Sequence, residues 1–427
     1  MLSLKNQDTV FINEEDKNDD LKLIVLLILT FSLPYDLFYS SILFITFCAL
    51  TLLNLKKSYL KRIPKQFWVF QGIYFLGVIG YFYSLHKSDA GFLLERQLTI
   101  FLMPIIIPIS IKITSERLKK MLEVLTISCL IAIIYLFINM SYTIYTVLHL
   151  PFVKTVFSGA FFNHQFSRPL DIHAGYLSLY VALSIIYLVT FTIKQKFGLK
   201  IIIASICLVI LLAGLLFLAS RNAIISTLFV LIFVFPFYHV TNKLRYLIVS
   251  TLLLFAVFFL VKKVPYLNTR FSIELISEIK STGNGEFINY SATEPRIKRW
   301  ECAMDLIKES PAFGYGTGDE IEMLKTRYAI KGLFISYLEN FNTHNQYLSF
   351  WVKNGFIGLI IFISLFFYYI YLAIKNRDFM YLSFLLLLMI GFYTENILDA
   401  NKGILFFAIF NTFFGYSALS AINKTKV

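Results

Sequence analysis

Three arginines and one histidine stand out in this sequence because of where they fall. Arg221, in "LASRNAII", lies at the junction of two apolar runs with only Ser220 and Asn222 as polar neighbours. An ionisable side chain at membrane depth is costly and marks function when it faces a cavity. Arg221 is therefore either an interfacial cation reaching lipid headgroups or a ligand for an anion. Arg296, Lys298 and Arg299 open "PRIKRWECAMDLIKES", and Arg296 and Trp300, four residues apart, share one face of a helix. A guanidinium grips a phosphate or diphosphate through paired hydrogen bonds, so two arginines from different elements suit one diphosphate. His344, in "NTHNQYLSFW", places an imidazole, the commonest general base, at the lip of an apolar run. Tyr347 and Trp351 follow at helical spacing, placed either to stack on a sugar ring or to join an interfacial aromatic belt.

A second polar cluster, His149, His164, Arg168, Asp171 and His173, occupies the connection 149–172 and the residue after it. Such polar density is unusual for this chain, and Arg168 and His173 are expected to line the same outward cavity. The six histidines never fall at HExxH or another zinc spacing, so no metal and no cofactor are expected. Cys48, Cys129 and Cys207 sit inside apolar runs and Cys302 stands alone, which gives no disulfide framework and reads as packing. "YD" at 35–36 and "GTGD" at 316–319 invite comparison with intramembrane aspartyl proteases, whose two carboxylates oppose each other within the bilayer. Asp319 falls in a polar outer loop and Asp36 at the end of an apolar run, which argues against that chemistry.

What must position these groups is a membrane. With 58% hydrophobic and 15% charged residues over 427 positions, the chain lies outside the range of soluble domains. Apolar stretches near 21–34, 38–55, 66–84, 97–111, 121–148, 173–192, 199–219, 222–239, 245–261, 346–373, 379–396 and 403–421 are long enough to be read as about twelve spans. The acidic stretch before the first of these, with no cleavage site after it, favours a first span over a leader peptide. Lys and Arg cluster at 56–65, 112–120, 194–200, 243–245, 375–377 and 424–426. The alternate short connections hold only scattered cations such as Lys87, Lys154 and Lys402. By the positive-inside rule both termini are expected in the cytoplasm and the segment 262–345 outside it. The formal charge of +13 is thus topogenic, and no nucleic-acid partner is implied.

The expected organisation is a cytoplasmic tail 1–20, nine spans over 21–261, the outer segment 262–345, three spans over 346–421 and a second tail 422–427. No internal repeat is evident, which weighs against a transporter built of repeated halves. The outer segment is expected to loop through "STGNGEFINYSATEP" and then to form two short amphipathic helices. Ile297, Trp300, Met304 and Ile307 mark the apolar face of the first, bounded by Pro295 and Pro311. The second follows "GYGTGDE" and ends at Gly332.

Several of these pieces together resemble one family, the bacterial O-antigen ligases and polymerases. They are "SR" at 220–221 opening a span, "PRIKRW" leading to "SPAFGYGTG", "THNQYLSFWVKNGFIGLI" and the late "TENILDANKGILFF". The resemblance covers about the second half of the chain. It implies an all-helical membrane fold with a large periplasmic loop in the bacterial inner membrane. It implies transfer of a glycan from a polyprenyl diphosphate carrier, with Arg221 and Arg296 on the diphosphate and His344 beside the acceptor hydroxyl. Lys353 is a departure, because relatives commonly carry a carboxylate one turn before the glycine pair.

The chemistry agrees with that implication. A glycosyl diphosphate has a good leaving group, so fixed arginines aimed at the developing charge serve as an electrostatic device. A histidine is the commonest base for the attacking hydroxyl, and direct displacement would invert the anomeric centre. On this reading Arg299, Trp300, Asn345, Tyr347, Trp351, Arg168 and His173 contact substrate, with Asn345 bracing the imidazole or binding sugar. The first-half spans shape a groove for the polyprenyl tail. The preferred acceptor is lipid A-core, which makes the protein a ligase. The alternatives are a polymerase that extends the glycan on its carrier, a protein-acceptor transferase, or a lipid-linked glycan flippase.

Overall fold

The computed structural model describes residues 19–156, 159–193, 195–196, 198–263, 265–269 and 295–424. Of the loop expected at 281–295 all but Pro295 lies outside them, as do 1–18 and 425–427 of the two tails. Among the described residues all regular structure is helical.

In chain order the principal helices are α1 (19–31), α2 (Leu37–Leu53), α3 (Gly72–Tyr83), α4 (Lys87–Ser110) and α5 (Ser115–Val147). They continue with α6 (Ala174–Ile193), α7 (Leu199–Leu218), α8 (Arg221–His239) and α9 (Lys243–Lys263). The segment after α9 supplies α10 (Arg296–Glu309), α11 (Glu320–Ile330) and α12 (Phe334–Leu338), and the bundle closes with α13 (Gln346–Lys375), α14 (Phe379–Gly391) and α15 (Asn401–Lys424). Among the described residues, seven are long and apolar enough to cross a bilayer unaided, namely α4 to α8, α13 and α15, while α2, α3 and α14 are shorter apolar helices. The chain is a multi-pass membrane protein by this measure.

Helix ends and apolar ends do not coincide. α4 starts ten residues before the apolar run at 97, because hydropathy registers only the part of a helix that needs lipid. α14 stops at Gly391, and 392–400 turn back through a short 3-10 segment, Ile397–Asp399, before α15. A Cβ at Gly391 would meet the Ile397 Cδ1 methyl at 2.7 Å, so the glycine lets the reversal pack closely on the end of α14.

α13 is broken at Gly355, whose φ of +64° lies in the left-handed region. The loop 311–316 after α10 fills the break. Phe356 N donates to Pro311 O at 2.8 Å, while Tyr315 N and Gly316 N donate to Val352 O and Lys353 O at 2.9 and 2.8 Å. Loop and helix thus satisfy each other's orphaned backbone groups, which a buried break requires. A Cβ at Gly355 would stand 2.1 Å from the Ala312 carbonyl.

The same loop then grips the α3–α4 hairpin. Thr317 Oγ1 donates to Gly77 O at 2.7 Å, and Gly318 N to Ser84 Oγ at 3.0 Å. The buried Asp319 carboxylate accepts from Leu85 N and His86 N at 2.8 and 2.9 Å and also meets the His86 ring. Asp319 is therefore a structural clasp, and Asp36 caps α2 by accepting from Phe38 N.

Both expected outer helices form, and α12 joins them as a third. The buried stripe of α10 differs from the expected one. It consists of Arg299, Cys302, Ala303, Leu306 and Ile307, packed with Leu324, Tyr328 and Leu333 against Val352 of α13, whereas Met304 is exposed. Small residues allow close packing against α11 and α13, so the face carrying Cys302 and Ala303 turns inward ahead of the bulkier one. Cys302 is packing, as its solitary place suggested.

Candidate active site

Asn345 follows the segment that carries α10 to α12 and starts α13. Its side-chain oxygen accepts from Tyr347 N and Leu348 N at 3.0 and 3.1 Å, the N-cap arrangement. Its neighbours Thr343 and Gln346 are fully buried and face inward. Thr343 Oγ1 donates to Glu320 Oε1 at 3.1 Å, and Gln346 Oε1 accepts from Leu398 N at 2.8 Å. Of the THNQ cluster only His344 keeps partial solvent access.

His344 has φ +46°, rare for a residue with a Cβ, and its N–H is turned onto Asn342 Oδ1 at 2.9 Å. That turn directs the imidazole to Glu395, in the reversal after α14, where Nδ1 lies 3.3 Å from Oε2. The other Glu395 oxygen accepts from Arg296 Nη2 at 3.0 Å. One carboxylate thus joins the first residue of α10 to the histidine before α13. Burial alone would raise the Glu395 carboxyl, but the His344 hydrogen bond and the Arg296 charge outweigh it and hold it down to about 2. An ionised carboxylate only accepts, so Nδ1 is the donor in this contact, and in the neutral imidazole that tautomer leaves the lone pair on Nε2.

Trp300, one turn along α10 from Arg296, donates from Nε1 to Thr343 O at 3.0 Å and meets Tyr393 edge-on, which fixes the helix against the His344 turn. Arg299 points the other way. It is 4% exposed with its guanidinium 5.0 Å from the centre of the Phe341 ring, inside the cap rather than beside Arg296. Tyr347 OH donates to Met389 O at 2.8 Å and Trp351 Nε1 to Pro311 O at 3.2 Å. Both rings are half-buried and brace α13.

The connection before α6 reaches the same place. The His164 and His173 rings lie 4.2 Å apart, and His173 senses the charges of Glu395, His344 and Arg296. His173 is exposed, yet desolvation by the surrounding protein draws its value down to about 4 against the pull of Glu395. Asn163 N donates to Phe217 O at 2.9 Å, and Phe162 packs on Phe217 and Ala219, which holds this connection against the α7–α8 junction where Arg221 begins α8. Arg221 therefore stands at the same end of the bundle. Arg168 is exposed, and no hydrogen bond or ion pair among the described residues ties it to the cluster.

Beneath the cluster lies a buried ionic network. Lys353 Nζ meets Asp399 Oδ2 at 2.7 Å and Glu320 Oε2 at 3.0 Å, while Ser349 Oγ donates to Glu320 and Asn396 Nδ2 to Asp399. Lys353 and Glu320 are both under 10% exposed. The network fastens α11, α13 and the reversal 392–400 together, and so holds Glu395 at its distance from His344. Sequence reading left out Glu395, Glu320 and Asp399. "TENILD" contains two of them, but the roughly fifty residues separating each from its partner leave no periodic trace.

Residues 206–363 match the family model described as O-Antigen ligase. The match bears out the resemblance drawn from the motifs. It runs from α7 into α13, taking in Arg221, Arg296, Trp300 and His344 but stopping before Glu395 and Asp399. Over 83 residues, 19% of this chain, the sequence is 36% identical to an uncharacterized protein of Haemophilus influenzae. The aligned part spans only 21% of that relative's length.

Proposed function

We propose, taking the O-antigen ligase match over residues 206–363 as premise, that this protein is a multi-pass membrane glycosyltransferase acting on a glycan carried by a polyprenyl diphosphate. The observation that carries the reading is the Glu395 carboxylate shared between His344 and Arg296. Glu395 fixes the imidazole so that Nε2 is the base, the arrangement by which a carboxylate orients a catalytic histidine. Arg296 spends one N–H on Glu395 and has others for the diphosphate, which Arg221 contacts from α8.

The acceptor hydroxyl loses its proton to His344 Nε2 as its oxygen bonds to the anomeric carbon. The bond from that carbon to the diphosphate oxygen breaks on the opposite face, and the carrier leaves as polyprenyl diphosphate. The product has inverted configuration. The site faces the periplasm, with both termini in the cytoplasm and 262–345 outside. Lipid A-core is the acceptor, with Trp300, Tyr347 and Trp351 bordering the glycan and Arg168 and His173 the far rim.

The test is an envelope glycolipid gel from cells lacking the gene, rescued with wild type, Arg296→Ala and His344→Ala. Bare core with long polymer on the carrier lipid supports a ligase, and core capped by one repeat makes it a polymerase. An unchanged gel would remove both and point to a transporter.

A further inference from the structure

We propose that the end of the bundle opposite the Arg296–Glu395–His344 cluster binds the phosphate of an anionic membrane lipid. The turn 376–378 joins α13 to α14 there. Between that turn and the ends of α6, α8 and α15 lies a cavity of about 690 Å³, within the range of small-molecule sites. Its polar side includes Tyr238, His239, Asn376 and Arg377, and its apolar side Phe237 and Ile374.

Arg377 carries the argument. It closes the C-terminus of α13 with φ +50°, its N–H bound to Ile374 O at 3.0 Å and the next N–H to Ala373 O at 2.9 Å. Glycine or asparagine ordinarily takes that left-handed position. An arginine there pays a backbone cost and presents an exposed cation to the cavity, with no ion pair among the described residues. Asp378 also lines the cavity, but its carboxylate accepts from Tyr381 N at 2.9 Å and so caps α14. Lys243, the first residue of α9, lies 4.9 Å from the centre of the Phe237 ring and adds a second exposed cation at the rim.

A lipid suits the site better than a free phosphate. Phe237 is 71% and Ile374 55% exposed, which makes an apolar lip for an acyl chain beside the cations. Basic pockets between helices on the positively charged side of a membrane protein are where anionic headgroups are held. The occupant would brace the α13–α14 junction, whose other ends carry His344 and Glu395.

The full chain, stripped of lipid in detergent, is given phosphatidylglycerol or phosphatidylcholine. Retained lipid is read by native mass spectrometry and unfolding by a thermal midpoint. The expected result is selective retention of phosphatidylglycerol with a raised midpoint, weakened roughly fivefold by Arg377→Gly and again by Lys243→Gln. Glycine fits the backbone at 377, so this variant should unfold no earlier than wild type in phosphatidylcholine while losing the phosphatidylglycerol increment. Arg377→Asn provides the same comparison with a side chain. Equal retention of both lipids, or full selectivity in Arg377→Gly and Arg377→Asn, would overturn the site. An equal midpoint shift with inorganic phosphate alone would overturn the lipid as its occupant.

Discussion

Glu395 lies 3.3 Å from the Nδ1 atom of His344, although 51 residues separate the two in the chain. The contact sets the tautomer of the imidazole and leaves Nε2 directed away from the carboxylate. In the proposed reaction Glu395 is a positioning residue and His344 the base.

Glu395→Gln should therefore lower the turnover of glycan transfer by roughly a hundredfold, within the range of acid and base catalysis. His344→Ala should cost at least as much, and the double variant little more than the worse single one, since groups acting as a unit are not additive. Single-turnover transfer with purified protein measures this. Full turnover in Glu395→Gln would refute the role of Glu395.

His344 is held in a conformation that costs roughly 1 kcal/mol for a residue with a Cβ. Asparagine tolerates it better but gives up the hydrogen bond to Glu395, so His344→Asn should lose transfer while its thermal midpoint moves by only a few degrees, the two effects offsetting each other. A clear drop in the thermal midpoint would make His344 a structural residue.

Lys353 balances two buried carboxylates, and removing one partner of a buried ionic set typically costs about 3–5 kcal/mol. Lys353→Met should be severely destabilised in denaturant titrations of the purified protein. Adding Asp399→Asn should recover part of the loss, because groups in one network couple. Here the departure from the family pattern has a physical account. The cation at 353 is matched by Glu320 and Asp399, both distant in sequence.

Stability should also fall with acid in two stages. His173, held at about 4, is below its ordinary 6.5, so the unfolded chain takes up its proton first and stability drops as pH falls from about 6.5 to about 4. Glu395, held at about 2, stabilises the fold above its ordinary 4.5 and loses that contribution as pH falls toward 2. Thermal midpoints against pH should show both limbs, and His173→Gln should flatten the upper one.

Gly355→Ala should detach the cap from the bundle, since the new methyl carbon would collide with the Ala312 carbonyl and the backbone would be strained at φ +64°. Limited proteolysis should then cut within 310–319, where the wild type resists.

Much of this is legible in the sequence. The apolar stretches all hold helices, and Pro295 and Pro311 bracket α10 as punctuation predicts. His344 and Arg296 could be singled out because an ionisable group beside an apolar run is conspicuous. Their connector was not, because Glu395 sits in a loop and nothing local ties it to residues 51 and 99 positions away. The inward face of α10 was misjudged for a different reason. Hydropathy favours Trp300 and Met304, whereas close packing selected Cys302 and Ala303.

The clasp formed by Thr317, Gly318 and Asp319 sets an order on biogenesis. Its receptors, Gly77 O, Ser84 Oγ and the Leu85 and His86 amides, leave the ribosome more than two hundred residues before it does. The other half of the joint, at Val352 and Lys353, comes later still. The rim of the early hairpin must therefore wait, solvated, through the insertion of all the helices between. A nascent chain stalled between α8 and α13 would hold Arg221 in place yet present no assembled site, which ties the onset of activity to the final stretch of translation.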